Sequence, residues 1–153
     1  MPDIFDRPTR SRMMGSIRAK NTKPELMLRR YLHAQGFRFR LHRSDLPGSP
    51  DLVLPRYRLA IFVHGCFWHR HNGCFYATTP QTRPEFWSAK FDANIRRDAS
   101  NRKELTKLGW RILIVWECGF KHCTYRLSDV PVLITAVNQY QEWPHKPPRD
   151  RLA

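Results

Sequence analysis

The run His64-Gly-Cys-Phe-Trp-His-Arg-His-Asn-Gly-Cys74 holds three histidines, two cysteines and two adjacent aromatics. Thiolates and imidazoles are ligands that zinc favours, an imidazole can move a proton near neutral pH, and flat rings can stack on bases. Neither a strand period nor a helix period runs through it, so the stretch reads as a loop that carries a site.

Cys66, His71 and Cys74 lie close in sequence, and Cys118 follows a buried strand that can return it to the same place. Four nitrogen and sulfur ligands with no open position make a structural zinc site. His69 is also within reach of Cys66, and Cys123 or His122 can replace Cys118, so spacing leaves more than one ligand set. A zinc ion there would staple the excursion between Cys74 and Cys118 and fix the direction in which Phe67, Trp68 and His69 project.

Ser49-Pro50-Asp51 starts a strand with a carboxylate right after a proline turn, and His64 ends the following strand. If the two strands pair, Asp51 and His64 meet at one sheet edge. A carboxylate is a hard ligand suited to Mg²⁺ with substrate phosphate, and a neutral imidazole beside it can take a proton from water. The competing reading of Pro-Asp is a turn aspartate bonded to its own backbone, and spacing alone favours it. Phe67 and Trp68 are consecutive, so an element can bury only one of them on a single face; the other is free to wedge between bases. Trp87 falls at helical spacing with Phe91 and Ile95 and reads as core, while Lys90, Asn94 and Arg97 form a polar stripe able to meet base edges.

These residues need elements to hold them. Thr22-Lys-Pro-Glu25 is a capping box, and the helix behind it runs to about Gln35, closed by Gly36. Phe37 to Arg43 alternates strictly, which predicts a strand with Phe37, Phe39 and Leu41 on a core and the arginines and His42 outward. Asp51 to Pro55 and Arg58 to His64 are two more strands, the second nearly continuous in apolar character and hence central. Thr82-Arg-Pro-Glu85 repeats the capping box and opens a helix to about Leu108, stopped by Gly109, with Phe91, Ile95, Ala99 and Leu105 on its buried side. Trp110 to Trp116 is another buried strand, and a last helix starts at Ser128 and passes through Val132, Leu133, Ala136, Val137 and Tyr140. The sum is α/β, a mixed sheet covered on both faces.

The chain has 153 residues and a formal net charge of +14, from 27 Lys+Arg against 13 Asp+Glu. That length suits one domain, and that field points to a polyanion, nucleic acid first. Residues 1–21 form a basic arm in which Arg7, Arg10, Arg12, Arg18 and Lys20 surround Met13, Met14 and Ile17; residues 22–143 form the domain; 144–153 are a tail expected to fray. The arm could lie on DNA. No stretch approaches a membrane span of ~20 apolar residues, and the first residues lack the pattern of a secretory signal. A cytoplasmic protein is expected, with its cysteines reduced and better suited to metal than to disulfides.

Taken together, Thr9-Arg-Ser-Arg12, Pro47-Gly-x-Pro-Asp51, His64-Gly-Cys-Phe-Trp-His69, Glu85-Phe-Trp-x-x-Lys90, Asn94-x-x-Arg-Asp98, Gly109-Trp-Arg-Ile-Leu and Val115-Trp-Glu-Cys118 closely resemble the Vsr, or very-short-patch repair, DNA mismatch endonucleases, over about residues 7–120. The resemblance implies a restriction-endonuclease-like fold and a nick on the 5′ side of the thymine in a T·G mismatch left by deamination of 5-methylcytosine. It implies Mg²⁺ on Asp51 and the backbone carbonyl of Val63, His69 as general base, and Glu25 and His64 orienting metal-bound water and phosphate. Phe67, Trp68 and Trp87 would intercalate, the arm with Met14, Arg10 and Arg12 would close over the opposite groove, and Lys90, Asn94 and Arg97 would contact DNA. Zinc would take Cys66, His71, Cys74 and Cys118. A monomer is expected from the asymmetry of the mismatch, and MutL-type repair proteins are a family-level partner. The chain departs from the wider restriction-nuclease pattern, in which an acid-x-lysine pair follows the first aspartate: Val63, His64 and Gly65 stand there instead.

Overall fold

A computed structural model describes residues 20–150; Arg10, Arg12 and Met14 of the basic arm lie outside the described residues. Thr22 caps α1 (Lys23–Ala34) as its composition dictates: its hydroxyl accepts from the Glu25 N–H, proline stands in the first turn, and Glu25 reaches back to the Asn21 N–H at 2.9 Å. Leu28 and Leu32 form the buried stripe of that helix.

The alternating stretch that follows pairs only over β1 (Arg40–Leu41). Phe37 and Phe39 do lean on the core, but Leu41 is 41% exposed, and His42 departs from the expected outward direction. Its φ of +46° leaves strand geometry, and its ring meets Glu25. β2 (Leu52–Leu54) and β3 (Leu59–His64) follow, with a turn of 3-10 helix between them. β1, β2 and β3 are antiparallel neighbours; β4 (Arg111–Trp116) and β5 (Tyr140–Trp143) add on in parallel, giving the order β1-β2-β3-β4-β5.

The period of two sorts the central strands onto two faces. Leu52, Leu54, Leu59, Ile61, Leu113 and Val115 pack with α1. Val53, Ala60, Ile112, Ile114 and Trp116 face the other way, toward Cys66, Cys74 and Cys118. α2 (Pro84–Lys107) crosses that second side, but its N-cap is Arg83 in a left-handed conformation with no side-chain cap, so the second capping box does not form. The helix is anchored near its start by Trp87 and Phe91 and near its end by Leu105. Ile95 is 47% exposed and Ala99 is exposed. Both point toward the sheet, as the period predicts, but across a cleft of about 480 Å³ lined also by Phe62, Ile112, Ile114 and Trp116.

The C-terminal region corrects the sequence reading. The helix expected to reach Tyr140 is α4 (Asp129–Thr135), after a short α3 (Cys118–His122). Val137 is 93% exposed, and the chain then enters β5, where Gln141 and Trp143 are buried. Pairing with β4 supplies backbone partners that the local helical period cannot offset. Beyond it, the Arg149 carbonyl accepts from the Phe75 N–H, and Asp150 bridges to Cys74.

Candidate functional site

β3 delivers the chain into the ligand-rich loop, and β4 brings Glu117 and Cys118 alongside, with the Glu117 N–H on the His64 carbonyl at 3.0 Å. This parallel pair gathers Cys66, His71, Cys74 and Cys118, all buried, with ligand atoms within 4.8 Å of one another. The Cys66 and Cys118 sulfurs lie 3.6 and 3.5 Å from His71 Nδ1. Tetrahedral zinc, with bonds of about 2.3 Å to sulfur and 2.0–2.1 Å to nitrogen, has sulfur–nitrogen edges of about 3.6 Å. Donor set and spacing therefore fit zinc. The His71 ring is stacked on Trp116 at 4.1 Å, which fixes its plane. The Cys118 hydrogen bond and then His71 hold the Cys66 thiol down to about 5, whereas the bond to Cys66 and burial push Cys118 up. Three thiols and an imidazole crowded into a buried pocket are the surroundings that a bound dication relieves.

The alternatives left open by spacing go elsewhere. His69 joins a different cluster, His122 bonds the Tyr76 hydroxyl at 2.6 Å, and Cys123 belongs to the core on the opposite face of the sheet.

At the mouth of β2, Asp51 accepts the Val63 N–H on Oδ2 at 2.7 Å, so pairing of β2 with β3 sets it beside the residue before His64, but the two side chains join different clusters, Asp51 with Glu25 and His42 and His64 with His69 and Asp98. Burial raises its carboxyl to about 6, with repulsion from Glu25 adding and the Val63 bond, His42 and His69 opposing. Glu25 and His42 share its pocket, their ligand atoms within 4.8 Å of Asp51. Two carboxylates and an imidazole this close, one of the acids destabilised chiefly by burial, fit a divalent cation.

Beside it, His64 and His69 stack with centroids 3.7 Å apart. His69 Nδ1 bonds Asp98 Oδ2 at 2.7 Å, which leaves the Nε2 lone pair free for a proton. Burial would raise Asp98, but the His69 bond and the charges of His69, His64 and Arg97 bring it below the ordinary carboxylate value. Burial, and then the His69 charge, lower His64 to about 3, so it stays neutral.

The same loop presents the aromatics. Phe67 and Trp68 are both half-buried and meet edge to face at 5.0 Å. Trp87, which the resemblance takes out of the core, is 4% exposed, with Phe67 at 5.6 Å and Phe91 also at 5.6 Å. Lys90 is exposed with its ammonium 5.8 Å from the Trp68 ring centroid, and Arg97 bonds Asn94. Asn94 donates to the Trp68 carbonyl at 3.1 Å and so holds the loop. Arg70 braces the loop from within, its guanidinium bonding the carbonyls of Phe67, Ala77 and Thr78 and lying 3.9 Å from the Phe91 centroid.

Sequence reasoning missed His42, Asp98 and Arg70. Asp98 had a signal: it stands four residues after Asn94, so both project from one side of α2 onto the loop. His42 had only the strand alternation, which pointed it the wrong way.

Comparison with known proteins agrees with this geometry. Residues 2–75 match the family described as DNA mismatch endonuclease Vsr. The type II nicking enzyme V.XorIIP of Xanthomonas oryzae pv. oryzae is 48% identical over 133 residues, 87% of this chain and 92% of the relative. The DNA mismatch endonuclease Vsr of Escherichia coli is 46% identical over 121 residues, 79% of this chain and 77% of the relative. The type II nicking enzyme V.NmeAIP of Neisseria meningitidis is 41% identical over 131 residues, 84% and 93% of the two chains. With that identity spread over most of both chains, this protein belongs to the Vsr family of DNA mismatch endonucleases.

Proposed function

We propose that this DNA-nicking repair endonuclease cuts one strand on the 5′ side of the thymine in a T·G mismatch arising from 5-methylcytosine deamination. Nicking and mismatch repair accord with the names of its relatives. What carries the finer reading is the convergence, at one end of β3, of a destabilised Asp51 carboxyl, the His69–Asp98 pair and the Phe67–Trp68 edge.

Asp51 and the Val63 carbonyl would hold Mg²⁺. When bound, that ion supplies charge neutralisation at the phosphate. His69, its Nδ1 tied to Asp98, takes a proton from the attacking water at Nε2. His64, held neutral, packs against that ring and fixes its plane, and Glu25 orients water and phosphate. Phe67, Trp68 and Trp87 wedge beside the weak pair, where unstacking costs least. That step requires Trp87 to leave its packed aromatic cluster. Lys90 and Arg97 meet phosphate or base edges, with Asn94 adding contacts once the loop moves, and the arm with Arg10, Arg12 and Met14 closes from the other groove. Cys66, His71, Cys74 and Cys118 would hold zinc, which would keep the loop rigid. The mixed sheet with helices on both sides supports a restriction-endonuclease-like fold in which histidines stand where a lysine is usual. We place the protein in the cytoplasm, as a monomer, with MutL-type repair proteins as further partners; no helix among the described residues is long and apolar enough to cross a membrane.

The test is a nicking assay on end-labelled duplexes that differ only in one T·G, T·A or C·G pair, with Mg²⁺ or EDTA, beside Asp51→Ala. A Mg²⁺-dependent cut of one strand, 5′ of the mismatched thymine only, is the expected outcome, and Asp51→Ala should bind that duplex without cutting it. Binding without cleavage by the unaltered protein would instead make this a zinc-stapled DNA-binding module.

A further inference from the structure

We propose that His42 is a positioning residue of the nuclease site, fixing the Glu25 carboxylate beside Asp51 where a cation would be received; this rests on the reading of Asp51 as the metal-binding carboxylate. Three observations support it. The His42 ring bonds Glu25 Oε1 through Nε2 at 2.5 Å, and its own backbone N–H donates to the Asp51 carbonyl at 3.2 Å. One residue therefore ties the two acids together, by side chain to one and by main chain to the other.

The second observation is the burial of Glu25, which is 1% exposed. Its carboxylate takes Arg29 on Oε1 at 2.9 Å and the Asn21 N–H on Oε2 at 2.9 Å, and His42 completes the set. Without His42, Glu25 Oε1 keeps only Arg29, and nothing but the Asn21 N–H on Oε2 is left to fix how the carboxylate lies beside Asp51.

The third is the backbone. Strand alternation would turn residue 42 to solvent, yet its φ of +46° brings the ring inward. Left-handed non-glycine residues are uncommon, and where the surrounding structure enforces one at a cleft of charged groups it points to function. Histidine is among the residues that tolerate this conformation best, and its ring is long enough to reach Glu25.

Two substitutions separate the contact from the turn. Asparagine suits the left-handed backbone at least as well as histidine but is too short to reach Glu25; glutamine carries an N–H at the distance of Nε2 but suits the backbone less. The full-length, zinc-loaded protein is titrated with Mn²⁺, followed by electron paramagnetic resonance without DNA, and single-turnover nicking of the T·G duplex is measured against Mg²⁺ concentration. His42→Asn should weaken Mn²⁺ binding and raise the Mg²⁺ requirement by about 10- to 100-fold, the usual cost of losing a group that orients a metal-binding side chain. His42→Gln should stay near the unaltered protein in both. Mn²⁺ affinity unchanged in His42→Asn, or a Gln variant worse than Asn, overturns the proposal. Should the unaltered protein fail to nick T·G duplexes, the proposed function falls, while the Mn²⁺ titration still decides the role of His42.

Discussion

The site residues divide into those whose chemistry was written in their type and those whose role came from contact. Cys66, His71, Cys74 and Cys118 are legible because few other roles gather such ligands, whereas Asp98 and His42 are ordinary surface types until α2 and the end of β1 fold onto the loop and α1. Two of these groups set a pH dependence. Asp51 titrates at about 6 in the folded chain and near ~3.9 unfolded, so the native state holds its proton more tightly and this group lowers stability as pH rises from about 4 to 6. His64 titrates at about 3 folded and ~6.5 unfolded, so its contribution is complete above about 6.5 and is lost as pH falls toward 3. The two oppose each other between about pH 4 and 6. Asp51→Asn removes the first slope, and its Mg²⁺-free melting temperature should therefore fall more steeply with acid than that of the unaltered protein. Parallel melting curves would show that Asp51 is not perturbed.

Element boundaries were readable where capping chemistry is local. Thr22 and Gly36 bound α1 as read, and Gly109 follows α2, yet Thr82 failed because Arg83 caps the helix in a left-handed turn. β5 was hidden because its partner is β4, far away in sequence, and the preceding helical period is real only as far as Thr135. On the proposed zinc reading, the loop between β3 and α2 would be held by an ion more than by a core, which separates two cysteines a few residues apart. Cys118→Ala should lose zinc and broaden the amide spectrum of residues 65–80, while Cys123→Ala should keep one zinc per chain and lose about 1 kcal/mol of packing. Equal zinc in the two variants would refute the ligand set. α3 adds a steric constraint, because a Cβ on Gly119 would stand 2.4 Å from Trp143 Cζ3. Gly119→Ala should therefore cost about 1–3 kcal/mol in denaturant unfolding and loosen the neighbouring Cys118.

Across the whole molecule, the sheet separates an apolar face from a face that gathers most of the site, with Glu25 of α1 reaching the site from the first. α1 and α4 close an apolar face on Leu113, Val115, Val130 and Ile134, while the thiol cluster, both stacked histidines and the aromatic edge lie on the α2 side. The sequence could not show this partition, since β4 is apolar on both faces and its residues look alike. The net charge was legible and sets the binding regime. Affinity for matched duplex should fall linearly on a log–log plot against salt, losing about 0.9 of slope for each phosphate neutralised. Lys90→Ala should reduce that slope by about one, and Asp51→Asn should leave it no smaller. A slope indifferent to Lys90 would remove it from the interface.

α2 has the mechanics of a beam on two bearings. Its 24 residues span about 36 Å, with Trp87 and Phe91 seated at one end, Leu105 at the other, and open space under Ile95 and Ala99. A helix loaded by a DNA strand would deflect most at mid-span, and mid-span is where Asp98 holds His69. In the proposed mechanism the ring that accepts the proton is thus slung from the middle of that span, so pressure from a correctly seated duplex would set its position while a poorly seated one would leave it slack.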